Sequence, residues 1–438
     1  MRAVEPHPIR VVVDDDLHRS RLTVFFRLLL AIPHLIWLVL WSIASFFAGI
    51  VNWFATLVQG RAPEALHRFL AAYVRYATHV YAYVLLAANP FPGFTGEPGS
   101  YPVDVEIDGP ERQSRWKTAF RLILVLPALL LAAFLLGGPG GGGGTGGGGG
   151  DWSGEGGEAY TGVAATGGVA FTVAFLAWFA CLVRGRMPNG FRDLLAWTLR
   201  YGAQTYGYLF LLTDRYPNSD PVEPRPVPAP FRPVELVDND DDLRRNRLTV
   251  FFRLLLALPH FVWLILWGIA VFFALIAGWV VALVTGRLPD LLHRFFAAYV
   301  RYQTHVFAFV YLVANPFPGF TGQAGGYPVD VRVDPPEPQS RWKTLFRLFL
   351  AVPAFFVSGA LVGAAFVAAF LGWFASLALG RMPQGLRNVG AYELGYAAQV
   401  NGYVYLLTDV YPYSGPPGRR VEPEVAPTWP AAPVSPSS

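Results

Sequence analysis

The feature that most limits this chain is an apolar run without a single charge, residues 28–58, broken by Pro33, His34, Ser42, Ser45 and Asn52 and returning almost unchanged at residues 254–284. Lipid is the solvent such a run is built for. As one straight helix it would reach about 46 Å at about 1.5 Å per residue, well past a hydrocarbon core of about 30 Å. One crossing is too little for it, and two are tight.

A third copy suggests how the run is used. Aligning Arg21, Phe26, Arg27 and Pro33 with Arg115, Phe120, Arg121 and Pro127 sets Gly137 opposite Ile43, in mid-run. There the pattern gives way to a mostly glycine tract, residues 137–168, that carries Asp151, Glu155 and Glu158. Backbone that is neither helical nor hydrated cannot lie in hydrocarbon, so the insertion predicts a turn. Ser42, Ser45, Gly268, Gly359 and Gly363 mark the same place in the other copies. The expectation is an all-α polytopic membrane protein in which each run is a helical hairpin, giving eight crossings.

The repeat organises the whole sequence. Residues 21–31 are identical to residues 247–257, and residues 89–95 to residues 315–321. Each half divides again. R-x-x-x-x-F-R ends at Arg27, Arg121, Arg253 and Arg347; G-R-x-P starts at Gly60, Gly185, Gly286 and Gly380; Asn89, Asp214, Asn315 and Asp409 close the units. The predicted units are 1–99, 100–217, 233–325 and 326–414, with a proline-rich linker at 218–232 and a disordered Pro/Ser tail at 415–438.

Each unit opens on a short alternating segment. Val103, Val105 and Ile107 alternate with Asp104, Glu106 and Asp108, the period of a half-buried strand, and Val329, Val331 and Val333 repeat it. Four such strands, too short to stand alone, are expected to pair into one small cytoplasmic sheet. The basic entry follows. Arg21, Arg27, Arg115, Arg121, Arg247, Arg253, Arg341 and Arg347 are expected to anchor it at the interface by snorkelling. G-R-x-P then suits a helix end and a fresh start.

The last element of each unit is a different helix. Over residues 64–88, Glu64, His67, Arg68, Arg75, Thr78 and His79 fall within about 120° of a helical wheel, away from Phe69, Tyr73, Tyr76 and Val80. Such a stripe predicts an amphipathic helix in the headgroup plane, with Arg68, Arg75, Arg192, Arg200, Arg294 and Arg301 contacting anionic lipid. A crossing helix lining a polar bundle is the alternative.

Composition agrees with membrane residence: 53% of residues are hydrophobic and 15% aromatic. All 34 Lys and Arg residues lie outside the expected hairpin tips, which predicts a multi-pass cell-membrane protein with both termini cytoplasmic. Residues 1–21 are polar and do not read as a removable leader. Cys181 is the single cysteine, so no internal disulfide is possible.

Chemistry is scarce. His34, His67, His79, His260, His293 and His305 recur, but the second and fourth units substitute Ala128, Ala354, Arg192, Arg387, Gln204 and Gln399, so no metal or haem set is kept. Asp14, Asp15, Asp16, Asp238, Asp240, Asp241 and Asp242 precede arginine-rich helix starts and are read as capping and pairing residues. The glycine tract lacks the lysine of a phosphate loop, and G-x-S-x-G, H-E-x-x-H and C-x-x-C are missing. No catalytic residue, metal, cofactor or nucleic-acid partner is expected.

The ordered landmarks RLTVFFRLLLAIPH, GRMP, LLTDRYP and YPVDVEIDGPERQSRWK resemble a bacterial family, common in actinobacteria, known as domain of unknown function 4389. Asn89 and Asn315 depart from its T-D-x-Y-P ending, and the glycine tract is unusually long. The resemblance implies membrane residence and no assigned activity. A non-catalytic membrane-organising or lipid-associated protein is the first expectation, a transporter or channel built from the repeats the second, and an embedded enzyme a distant third.

Overall fold

A computed structural model describes residues 6–137, 168–222, 232–240 and 242–418. The glycine tract beyond its two ends, most of the linker, Asp241 and the tail from residue 419 lie outside the described residues.

The apolar runs are single helices and not hairpins. α1 (Arg21–Phe25) and α2 (Arg27–Gln59) differ from one helix only by a break at Phe26, while α8 (Arg247–Thr285) and α10 (Arg341–Leu379) are unbroken over 39 residues each. The small mid-run residues were expected to turn, yet their backbone is helical, and some of them sit at close approaches. Ser45 lies fully buried in the stripe of α2 that meets the protein, and a Cβ on Gly268 would stand 3.0 Å from the Tyr299 hydroxyl.

The insertion follows the same rule. After α4 (Arg115–Ala119), α5 (Arg121–Leu136) ends at Gly137, and α6 (Val169–Arg184) begins after Gly168. A Cβ on Gly168 would lie 2.4 Å from the Gly137 nitrogen, so the chain leaves and rejoins one helix line at one point. Direction does not reverse there.

Reversal happens at G-R-x-P. Gly60, Gly185, Gly286 and Gly380 take φ of 71°, 65°, 74° and 68°, a left-handed conformation natural to glycine, and each N–H caps the long helix it ends. The chain then returns as α3 (Glu64–Val84), α7 (Asn189–Leu209), α9 (Asp290–Val310) and α11 (Gln384–Val404), each packed on its own long helix. Antiparallel packing is visible in unit 1, where Arg27 meets Tyr83 and His34 meets Tyr76.

These shorter helices are interior, which corrects the expected headgroup placement. α3 holds α2 through Tyr76 and Tyr83 and, on another face, a strand through Arg75 and His79. Its polar stripe points largely inward: His67, Arg75, Thr78 and His79 are buried, and only Glu64 and Arg68 are exposed.

The strands β1 (Ile9–Val13), β2 (Val103–Ile107), β3 (Val234–Asp238) and β4 (Val329–Val333) form two antiparallel pairs, β1 with β2 and β3 with β4, in place of one sheet. Val11 faces Val105, and Leu236 faces Val331. Each pair is seated on the short helices of its own half, β1 on α7 and β2 on α3, β3 on α11 and β4 on α9, which keeps the two pairs apart.

Three tiers result: long helices, short helices, strands. The halves join through like elements, α10 against α5 and α6, and Trp197 of α7 against the corresponding Tyr392 of α11 at 5.7 Å between rings. Gly190 approaches Ser414 while Gly385 approaches Ser219, the reciprocal contacts of a pseudo-twofold. α2 and α8 therefore form the edges of the long-helix tier, and less of each is buried than of α10.

Candidate functional site: an apolar face and its arginines

The long-helix tier is apolar on its outer side. In α2 the residues buried against the protein are Arg27, Ala31, His34, Ser45, Asn52 and Thr56, one small or polar stripe, while Leu28, Ile36, Phe47, Phe54 and Val58 stay exposed. α8 exposes Leu254, Phe273 and Val284 and α10 exposes Leu348, Phe366 and Phe374, and α2, α8 and α10 are each long and apolar enough to cross a membrane. A contiguous apolar face of this extent marks a membrane or protein contact. The strand tier is its opposite in character: Arg10 pairs with Glu106 at 3.2 Å and Asp108 at 2.9 Å, and Arg332 pairs with Glu235 at 2.8 Å, all solvent-exposed or partly so.

The arginines expected to snorkel divide into two sets. Arg21, Arg115, Arg247 and Arg341 are exposed, and each donates Nη2 to a carbonyl near the end of a neighbouring long helix, Val183, Val58, Ala378 and Val284, at 2.9–3.0 Å. A cation there satisfies carbonyls that have no helical partner and suits the negative end of the dipole.

Arg27, Arg121, Arg253 and Arg347 do not snorkel; at 1–2% exposure they are among the most buried side chains of the chain. Each guanidinium lies over the aromatic ring at the end of the unit's short helix, Tyr83, Tyr208, Phe309 or Tyr403, at 3.9–4.7 Å. Each also reaches the unit's closing residue. Arg27 donates to the carbonyls of Tyr83, Ala88 and Asn89, and Arg121 donates to Thr213 O and to Asp214 Oδ1 at 3.2 Å. The first landmark and the last thus bind one another, which is why both recur.

The alternation of Asn and Asp now has a reason. Where Asn89 and Asn315 close a unit, a second buried arginine stands nearby with its own acid, Arg19 on Asp15 at 2.7 Å and Arg245 on Asp240 at 3.6 Å. In the other two units Gln113 and Gln339 replace that arginine, and Asp214 and Asp409 supply the charge. Gln113 and Gln339 escaped the sequence reading; their recurrence in Q-S-R-W-K was the available signal. Asp15, Asp240 and Asp242 pair or close turns, whereas Ser20 and Asn246 hold the helix N-cap positions.

Of the six arginines expected at lipid headgroups, Arg68 and Arg294 are exposed. Arg75 and Arg301 are spent on the carbonyls of Val105 and Val331, both at 2.9 Å, Arg192 pairs with Asp193 at 2.6 Å, and Arg200 donates to Asp220 O at 2.5 Å. Burial lowers the Arg75 pKa, offset in part by Asp104.

Asp104 and Asp330 were read as the outward residues of alternating strands, but both are buried. Asp104 accepts from His79 Nε2 at 2.7 Å, Gly99 N at 2.5 Å and Val105 N at 2.8 Å, and Asp330 repeats this with His305, Gly325 and Val331. Burial alone would raise the Asp330 carboxyl; those bonds outweigh it and hold the carboxyl below its usual range. Burial holds the His79 ring below its usual pKa, so it is neutral and donates Nε2–H to Asp104. Asp104→Ala will leave three donors unsatisfied and lower stability by about 3 kcal/mol, read as a drop in thermal midpoint in detergent, with Asp330→Ala its replicate in the other half.

Among the described residues no group of three or more His, Cys, Asp or Glu side chains is arranged to hold a metal ion. The histidines are taken up by aromatic packing and single bonds: His34 Nδ1 meets Tyr76 Oη at 2.8 Å and its ring stacks on Phe94, as His260 does with Tyr302 and Phe320.

Fold and site define a repeat protein with three helices of membrane-spanning length and composition, whose long helices present one apolar face. The model of the family described as a domain of unknown function (DUF4389) matches four times, at residues 21–95, 162–219, 247–321 and 341–414, more than half of the chain, and the chain belongs to that family. No curated protein and no solved structure matches it.

Proposed function

We propose that the chain is a non-catalytic, lipid-associated membrane protein that lies in the membrane plane, its long-helix tier immersed in one leaflet and its strands in water. The observation that carries this reading is the division of the molecule into an apolar tier and a charged tier. β2 crosses α3 near its middle, at Arg75, so a perpendicular arrangement would put the exposed ion pairs of Arg10, Glu106 and Asp108 level with the bilayer centre.

Two further features support it. A 39-residue helix is about 58 Å long, nearly twice the hydrocarbon thickness, and length is no obstacle to a helix lying flat. The insertion leaves α5 and rejoins α6 at mid-helix, the bilayer centre of a perpendicular arrangement, where a polar glycine-rich segment has no place.

In a Cys181→Ala background, Ser20→Cys and Gln59→Cys place thiols at opposite ends of the α1–α2 line. An impermeant maleimide should reach both from one and the same side of the membrane. Reaction from opposite sides would show a spanning helix and put the transporter reading first.

A further inference from the structure

We infer that three of the four junctions between units are binding sites for the phosphate of an anionic phospholipid headgroup, formed where G-R-x-P of one unit meets the segment that leads into another. The inference rests on the in-plane reading above and adds what holds the chain at the surface.

Each junction is built alike. Gln113 N donates to Gly60 O, Arg19 N to Gly185 O, Arg245 N to Gly380 O and Gln339 N to Gly286 O, at 2.8–2.9 Å. These bonds draw the flanking residues into isolated antiparallel bridges: at the first and third junctions arginine faces arginine, Arg61 with Arg112 and Arg244 with Arg381, and at the second Arg186 faces His18. Residues opposed in this way lie about 5 Å apart, and like charges so placed repel.

Asp16 and Asp242 accept from the backbone N–H of His18 and Arg244, but neither is in an ion pair with the bridge arginines among the described ion pairs. Arg61, Arg112, Arg186, Arg244 and Arg381 are exposed, and none of them has an acidic partner among the described ion pairs. Arg115, Arg21 and Arg247, held against the helix-end carbonyls, add a further cation to each cluster. Two or three exposed arginines gathered at one turn suit an oxyanion with several acceptor oxygens, and phosphate is such an anion.

Position selects the source. Beside these clusters the long helices end in fully apolar exposed side chains, Val58 and Trp116 at the first junction, Leu22 and Val183 at the second, Leu248 and Leu379 at the third. Trp116 is 77% exposed and stacks flat on Phe120, the arrangement of an aromatic at the water boundary of a bilayer. A phosphate that brings its own acyl chains meets both features at once; inorganic phosphate meets only one.

The fourth junction is the internal control. Beside Gln339 stands Pro338 where the first junction has Arg112, and Arg287, in the turn, lies 3.6 Å from Asp290 at the start of α9. Among the described ion pairs, Arg287 is the one G-R-x-P arginine with an acidic partner.

The test titrates the full-length protein in mild detergent with phosphatidylglycerol, phosphatidylcholine or inorganic phosphate, following the thermal midpoint. Phosphatidylglycerol should raise the midpoint well beyond the other two. Arg61→Gln with Arg186→Gln and Arg381→Gln should weaken that response about fivefold at each site, the equivalent of about 1 kcal/mol for a basic residue near an anionic surface. Arg287→Gln should leave it unchanged. Equal response to phosphatidylcholine, equal response to inorganic phosphate, or an unaffected triple variant each overturns the assignment. Flotation of wild type with vesicles of pure phosphatidylcholine separates the two readings: a chain that enters them keeps its membrane role whatever the junctions do, and one that enters neither these nor phosphatidylglycerol vesicles loses both.

Discussion

Arg347→Met will destabilise the chain by about 3–5 kcal/mol, the cost of breaking a buried ion pair from one side. Arg347 donates to Asp409, to Thr408 O at 2.9 Å and to Gln339 Oε1 at 3.1 Å, and lies over the Tyr403 ring, with 1% of its own surface exposed. Methionine fills much of the volume but leaves Asp409 charged and several acceptors without a donor. Adding Asp409→Asn should recover part of the loss, and that recovery distinguishes charge from packing. Arg341→Met, at the exposed start of the same helix, should cost less than about 1 kcal/mol. Thermal or denaturant unfolding in detergent measures all three; equal losses at Arg341 and Arg347 would refute the division of these arginines into two sets.

The second large effect depends on pH. Glu393 occupies α11 where other units place Tyr73, Thr198 and Tyr299, and burial pushes its carboxyl up to about 8. The sign follows from which state holds the proton. Between the ordinary carboxyl value and about 8 the folded chain keeps its proton while the unfolded chain releases it, so stability falls as pH rises through that window. The slope is about 1.4 kcal/mol per pH unit and the total is on the order of 4 kcal/mol by pH 8. Glu393→Gln removes the ionisation: its midpoint should match wild type near pH 4 and exceed it increasingly up to pH 8. Parallel curves for the two proteins would show that Glu393 is solvated in the folded chain.

Much of the fold was legible because repetition exposes what each unit must contain. Landmarks, strand segments and the glycine that ends each long helix are local, and local chemistry places them. The chain departs from the expected hairpin for a physical reason. An insertion tells where a chain leaves a helix, not where it is heading on return, and closing a long loop costs little more than closing a short one. Gly137 and Gly168 can therefore meet and let one helix line continue.

The buried arginines depart from the expected snorkelling for a related reason. An arginine in apolar sequence can extend to water or be buried among carbonyls, and spacing along its own helix does not separate the two. The partners of Arg27 lie at Tyr83, Ala88 and Asn89, on the far arm of a helical pair that turns at Gly60 and not in mid-run. Once Gly60 is taken as the turn, the start of the long helix and the end of the short one fall together. The same change turns the polar stripe of α3 inward, where Asp104 waits for His79.

The outer long helices, α2 and α8, face away from the other half, and their units keep long identical stretches; the inner ones, α5 with α6 and α10, touch across the pseudo-twofold and have diverged. Duplication of one half-molecule and joining of the two copies would leave such a pattern. While two separate copies share one gene, any change at their contact appears on both sides of the axis. Fusion lifts that constraint, and one inner helix has taken an insertion its twin lacks. A body with an exact twofold presents each of its surfaces twice, and the described halves no longer do: α10 runs unbroken where its counterpart is divided into α5 and α6.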